Sequence, residues 1–178
     1  FSKPYCYHID QFESLRPVFM QVMKYARAMG LDMIQGDHED APGQLELNWM
    51  YDDVLRNADR LSTYRQICAQ VAREFNLIAC FMTKPFMGVS ASGCHTNMSL
   101  WTGGKDKLNK LGHKSIPAMD EVFTYVEGGK NTFMPDTKDV QLPGKVGLKA
   151  IGGVMKHLGA LTAIGSSTVN SYRRLWDT

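Results

Sequence analysis

The sequence predicts an α+β fold with a largely antiparallel sheet and packed helices, and three observations carry that expectation. Two long stretches, 10–29 and 52–75, repeat apolar residues at the 3.6-residue helical period. Between them, two short apolar segments flank a turn built on Pro42-Gly43. Strands and helices then mix without the strict alternation that a parallel sheet requires. With 178 residues and 44% hydrophobic content the chain can bury a sizeable core, so a single domain or a large part of one is expected.

The first helix is expected over 10–29, where Phe12, Leu15, Phe19, Met20 and Met23 recur at helical intervals. Asp10 and Glu13 have capping-box spacing, and Gly30 can end the helix. A hairpin follows, with one apolar strand at 31–35, turn chemistry at 40–43, and an alternating strand at 44–51. In that strand Leu45, Leu47 and Trp49 share one face, while Glu46 and Asn48 point the other way. The second helix, 52–75, carries Val54, Leu55, Ala58, Leu61, Tyr64, Ile67, Cys68, Val71 and Phe75 on the expected period. Residues 77–82 read as a strand stopped near Pro85. A small-residue loop at 90–93 precedes a strand at 94–101, whose polar face holds His95, Asn97 and Ser99. The Gly-, Lys- and Pro-rich stretch 103–136 reads as surface loops around a short helix at 119–126. A last helix is expected at 149–163, and irregular or extended chain at 169–175.

The charge balance excludes several function classes. A net charge of +2, without a basic run interleaved with aromatics, gives no support to nucleic-acid binding. No apolar stretch approaches the roughly 18 to 20 residues that span a bilayer, and the N-terminus does not read as a secretory leader. Cys6, Cys68, Cys80 and Cys94 lack CxxC pairing, which argues against a zinc ribbon or a disulfide framework and for free thiols in a reducing cytoplasm.

Glu39 and Glu46 stand seven positions apart across the Pro-Gly turn, a spacing that can bring two carboxylates from neighbouring strands to one pocket. Hard divalent cations favour such oxygen ligands. The same spacing equally fits two solvated glutamates beside a turn. His95 is either a metal ligand or a structural histidine, and Ser99 either meets a phosphate or does nothing so specific. Arg173 and Arg174 suit bidentate binding of a carboxylate but also suit solvent. His38 reads as a structural residue or one that supports a ligand from behind.

Taken in order, these segments resemble the glutamine synthetase family. The run His38-Glu39-Asp40-Ala41-Pro42-Gly43-Gln44-Leu45-Glu46 is similar to the family's glutamate, Ala-Pro-Gly-Gln, glutamate signature. Phe81-Met82-Thr83-Lys84-Pro85 is similar to its Phe-Met-Pro-Lys-Pro strand, and Ser92-Gly93-Cys94-His95 with Ser99-Leu100 to its Ser-Gly-Met-His and Ser-Leu pattern. Gly152-Gly153-Val154-Met155-Lys156-His157 and Asn170-Ser171-Tyr172-Arg173-Arg174-Leu175 are similar to the helix and arginine-bearing segment that follow. The likeness runs from about residue 10 to about residue 175.

The resemblance implies an ATP-dependent ligase that phosphorylates the γ-carboxylate of glutamate and lets ammonia or a small amine displace the phosphate. It implies two divalent cations, Mg²⁺ or Mn²⁺, with Glu39 and Glu46 on one and His95 on the other. Arg174 is implied at the substrate α-carboxylate, Gly93 and its loop at the glutamate site, and Ser99 with Asn97 near the nucleotide. A cytoplasmic homo-oligomer is implied for the intact protein, with sites formed between subunits. The whole chain, 1–178, is expected to be one fragment of the catalytic domain, lacking the N-terminal domain and the C-terminal remainder, and so inactive alone.

Two departures bear on the substrate. The loop reads Ser90-Ala91-Ser92-Gly93 where most family members have Asn-Gly-Ser-Gly, and Asn97 stands where many carry a second histidine. Asp37-His38-Glu39-Asp40 and Asn48-Trp49 are more similar to the divergent bacterial branch that includes γ-glutamylmethylamide synthetases. A methylamine or polyamine ligase, or a catalytically silent glutamate-binding relative, therefore stands beside glutamine synthesis as an expectation.

Overall fold

A computed structural model of the chain describes residues 6–102, 105–106, 126–127, 129–135 and 143–176. The elements run α1 (Ile9–Ala28), β1 (Met33–His38), β2 (Leu45–Trp49), α2 (Val54–Glu74), β3 (Trp101–Thr102), β4 (Lys105–Asp106), β5 (Val126–Glu127), β6 (Lys130–Asn131), α3 (Lys145–Lys156), α4 (Leu158–Gly165) and α5 (Val169–Trp176). Among the described residues every strand pair is antiparallel and two-stranded: β1 with β2, β3 with β6, and β4 with β5. The α+β class holds, with helix predominating over sheet. The chain forms two compact units, Phe1–Gly93 with Thr168–Thr178, and Cys94–Ser167.

In the first unit the core lies where α1, α2 and the β1–β2 hairpin meet. Phe19, Val22, Met23 and Ala26 from α1, Leu31 and Met33 from the hairpin entry, and Ile67 and Val71 from α2 are buried together, with Leu47, Trp49, Tyr64 and Cys68 packed against them. The face predicted for β2 is the one that meets this core. One position is held to glycine by that packing: a Cβ on Gly36 would stand 2.0 Å from Phe19 Cε2. The phenyl ring occupies the space a side chain would need.

Polar contacts fix how the helices leave the hairpin. The Asp53 carboxylate caps α2 by accepting from the Arg56 backbone N–H at 3.0 Å. Buried Arg60 pairs with Asp52 at 2.9 Å and lies 3.7 Å from Asp32, and it donates to the Gly30 carbonyl at 3.2 Å. At α1 the expected capping box does not form. His8 takes the cap position but its side chain does not cap the helix, Asp10 falls inside the first turn, and Glu13 pairs instead with Arg16 at 2.9 Å. Gly30 follows the helix end at φ +80°, as expected.

Three further expectations are corrected. Residues 77–82 form no strand, and Ile78 is 92% exposed. Among the described residues no neighbouring strand offers them a ladder, and apolar composition alone cannot make one. Residues 169–175, expected to be irregular, form α5 because Thr168 Oγ1 accepts the Ser171 N–H at 3.2 Å, a cap the sequence reading passed over. Residues 94–100 also lack a strand, which begins only at Trp101 where Asn131 pairs with it.

In the second unit the expected helix 149–163 starts earlier, at Lys145 behind Gly144, and breaks at His157 into α3 and α4. Three glycines, Gly152, Gly153 and Gly159, lower helix propensity on both sides of the break. The helix expected at 119–126 lies outside the described residues up to 125, and Val126 belongs to β5. No helix among the described residues is long and apolar enough to cross a membrane.

Candidate active site

The antiparallel register places Asp37 opposite Glu46 and His38 opposite Leu45. The pairing continues past β1, since the Glu39 N–H donates to the Gln44 carbonyl at 2.9 Å, and Gly43 closes the turn at φ +74°. Because strand side chains alternate, Asp37, Glu39 and Glu46 come to one face, and Gly36, His38 and Leu47 to the other. Two of the residues proposed from the sequence, Glu39 and Glu46, thus come to one face, near enough for the Glu46 carboxylate to act on Glu39.

Their electrostatics follow. Partial burial first, and then the Glu46 carboxylate, push the Glu39 carboxyl above the ordinary glutamate range, with Asp37 adding to the effect. Asn48 Nδ2 donates to Glu46 Oε1 at 3.2 Å, and Cys6 Sγ lies 4.0 Å from Glu39 Oε2. Like charges set opposite each other on a hairpin are repulsive, so the arrangement favours either a shared proton or a cation. His38 is 2% exposed and neither ring nitrogen has a hydrogen-bond partner among the described residues. It sits on the core side, away from the carboxylate face.

The loop that follows is fastened to this turn by side chains. Gln44 Nε2 donates to the Ala91 carbonyl and to Ser92 Oγ, both at 3.2 Å, while Gln44 Oε1 accepts the Ala41 N–H at 3.1 Å. Ser90 Oγ donates to Asp40 Oδ2. The loop closes on itself through Ser92 N–H to the Thr83 carbonyl at 2.8 Å and Lys84 Nζ to the Val89 carbonyl at 2.8 Å. Gly93 is exposed at the end of this braced segment. Sequence reading missed Gln44 and Asp40 as braces; their placement within the turn motif was the available signal.

Arg173 and Arg174 are exposed on α5, in the same unit. The helix is docked by Asn170. Its Oδ1 accepts from Lys84 N–H at 2.7 Å and from Thr83 Oγ1 at 3.0 Å, and its Nδ2 donates to the Lys84 carbonyl at 2.7 Å. His95, Asn97 and Ser99 belong to the second unit, exposed on the segment without regular structure; Ser99 Oγ accepts from Trp101 Nε1 at 2.9 Å. The shared strand face expected for them is therefore not formed.

The donor set around the turn fits a hard divalent cation. Mg²⁺ characteristically takes only one or two protein carboxylates, with water and phosphate oxygens as the rest. No group of three or more His, Cys, Asp or Glu side chains able to hold an ion occurs among the described residues.

Comparison with known proteins places the chain in a family. A family model described as "Glutamine synthetase, catalytic domain" matches residues 2–124 and 122–178. A glutamine synthetase of Rhizobium leguminosarum bv. phaseoli is 36% identical over 174 residues, and a glutamate–methylamine ligase of Methyloversatilis universalis is 33% identical over 174. Both alignments cover 98% of this chain, which spans 34% of the length of each relative. Among solved structures, GmaS without ligand is 31% identical with a TM-score of 0.77, covering 98% of this chain and 35% of that one. A GmaS complex with ADP is 31% identical with a TM-score of 0.76, covering 97% and 34%. With the ordered motifs and the carboxylate turn, these matches establish that the chain belongs to the glutamine synthetase family.

Proposed function

We propose that the protein joins ammonia or a small amine to the γ-carboxylate of glutamate, using ATP and passing through γ-glutamyl phosphate. The observation that carries the proposal is the Glu39–Glu46 pair on a turn whose Gln44 also braces the 90–93 loop. This bracing supports reading the carboxylate pair and the loop assigned to glutamate as parts of one site.

Glu39 and Glu46 hold one divalent cation, Mg²⁺ or Mn²⁺, and His95 is a ligand of a second. When bound, such cations neutralise charge on the phosphates during transfer. The residues do the rest. Glu39 and Glu46 would offer their carboxylate oxygens to the cation; the amides of the 90–93 loop, ending at Gly93, line the glutamate; Arg174 pairs with its α-carboxylate; Ser99 and Asn97 lie near the nucleotide. The intact protein is a cytoplasmic homo-oligomer on this reading, and the 178-residue chain is part of its catalytic domain.

A primary amine as acceptor is favoured by one specific observation. Ser90, which stands where the family has Asn, is tied to the turn through Asp40, while Ser92, which matches the family's serine, is held by Gln44. The likeness to a glutamate–methylamine ligase supports the same reading. The test is glutamate-dependent phosphate release from ATP by the full-length protein with Mg²⁺ or Mn²⁺, comparing ammonia, methylamine and putrescine. Release that follows one amine and collapses in Glu39→Ala and His95→Ala is the expected result. No release with any of the three replaces the proposal by a silent, glutamate-binding relative.

A further inference from the structure

Asn170 makes more structural bonds than its place in an arginine-bearing segment explains. It follows the Thr168 cap by two positions, in the first turn of α5. From there its carboxamide takes both backbone polar groups of Lys84, the N–H and the carbonyl each at 2.7 Å, and the Thr83 hydroxyl at 3.0 Å. A planar amide that meets an N–H and a C=O of one residue has its orientation fixed, not merely its distance. It serves residue 84 as a partner strand would, just where the chain 77–82 has no ladder.

The other end of the same contact is the loop. Thr83 and Lys84 close the 83–92 segment through Ser92 N–H to Thr83 carbonyl and Lys84 Nζ to Val89 carbonyl, and that segment is pinned to the carboxylate turn by Gln44. Asn170 and Arg174 are four residues apart, so they lie on one stripe of α5, about 6 Å apart along the axis. The stripe that docks on residues 83–84 is therefore the stripe that bears Arg174.

We propose that Asn170 is a positioning residue that sets the rotation of α5 about its axis and thereby aims Arg174 at the substrate α-carboxylate. This rests on the proposed assignment of Arg174 to glutamate. Asn170 touches no substrate; it acts through Arg174. An exposed guanidinium on an eight-residue helix needs such a brace, because a helix this short has little rigidity of its own.

The test compares Asn170→Ala, Asn170→Asp and Thr83→Ala in the full-length protein. In Asn170→Ala the KM for glutamate should rise roughly tenfold while the KM for ATP stays within about twofold. Asn170→Asp keeps the two acceptor contacts and loses the donor, so it should fall between wild type and Ala. Thr83→Ala, which removes a single bond, should give the smallest rise and guards against a fold too damaged to read. Arg174→Ala combined with Asn170→Ala should do no more than Arg174→Ala alone. Hydrogen exchange of amides 169–176 should accelerate in Asn170→Ala. Equal rises in both KM values, additive effects in the double variant, or unchanged exchange in α5 would each overturn the proposal. A wild-type protein that releases no phosphate removes the ligase reading, whereas the exchange measurement still decides whether Asn170 holds the helix.

Discussion

At the scale of single residues, the Glu39 carboxyl is held in a state that folding alone does not favour. Its folded-state pKa is raised, first by partial burial and then by Glu46. A carboxyl of this kind keeps its proton longer folded than unfolded, so its contribution to stability is fully present below the unfolded value of about 4.3 and is lost as pH climbs through the folded value. Without divalent cations, Glu39→Gln should therefore raise the melting temperature at pH 7 and change it little at pH 4. The gain at neutral pH should be on the order of 0.5 kcal/mol, the scale of a like-charge pair on a hairpin. Added Mn²⁺ should stabilise wild type and not the variant, which thermal melts at both pH values with and without the ion will decide. At Gly36 the effect is steric: Gly36→Ala should cost about 1–3 kcal/mol in urea denaturation, with part of it recovered by Phe19→Leu, since the added methyl overlaps the Phe19 ring.

At the scale of elements, α2 is fastened to the hairpin by a polar cluster as much as by apolar packing. Arg60→Ala removes the 2.9 Å partner of Asp52, which keeps Arg56 at 3.1 Å, and should destabilise by about 1–2 kcal/mol; a combined Arg60→Ala, Asp52→Ala variant should cost less than the sum, read by chemical denaturation. What the sequence revealed about elements divides along the same physical line. The long helices and the hairpin were legible because their stabilising contacts are periodic and mostly local: the Leu47 and Trp49 face meets the core as expected, and so do Val71 and Ile67. The strands at 77–82 and 94–100 were misread because a strand is a relation between two segments, and the alternating pattern names only one of them. Helix α5 was misread because its cap, Thr168, and its anchor on Lys84, 86 positions away, are not visible as a pattern. For the site, the carboxylate pair was legible in spacing, whereas Gln44 and Asn170 act through side-chain contacts across 47 and 86 positions that no local motif announces.

At the scale of the whole molecule, much apolar surface faces solvent. Ile78 is 92% exposed, and Ile164, Val169 and Ile9 are also largely uncovered. A soluble monomer seldom keeps so many large aliphatic side chains in water in one chain of this size. The 178-residue chain produced on its own should thus self-associate at micromolar concentration, which light scattering will register, and Ile78→Ser with Ile164→Ser should reduce that association without altering the far-ultraviolet circular dichroism. Monodisperse behaviour of the unaltered chain would contradict this expectation. The burial of Cys68 bears on handling of the same sample: burial pushes its thiol up to about 11, so alkylation at neutral pH should mark exposed Cys6, Cys80 and Cys94 first.

The bracing of the 90–93 loop by the turn at 40–44 also governs how this protein can be recombined with its relatives. Gln44 reaches Ala91 and Ser92, and Asp40 reaches Ser90, so two segments distant in sequence form one heritable block. A chimera whose crossover falls between residues 44 and 90 inherits half of that block from each parent and leaves donors and acceptors mismatched. Grafting a foreign 90–93 loop must carry the foreign turn with it.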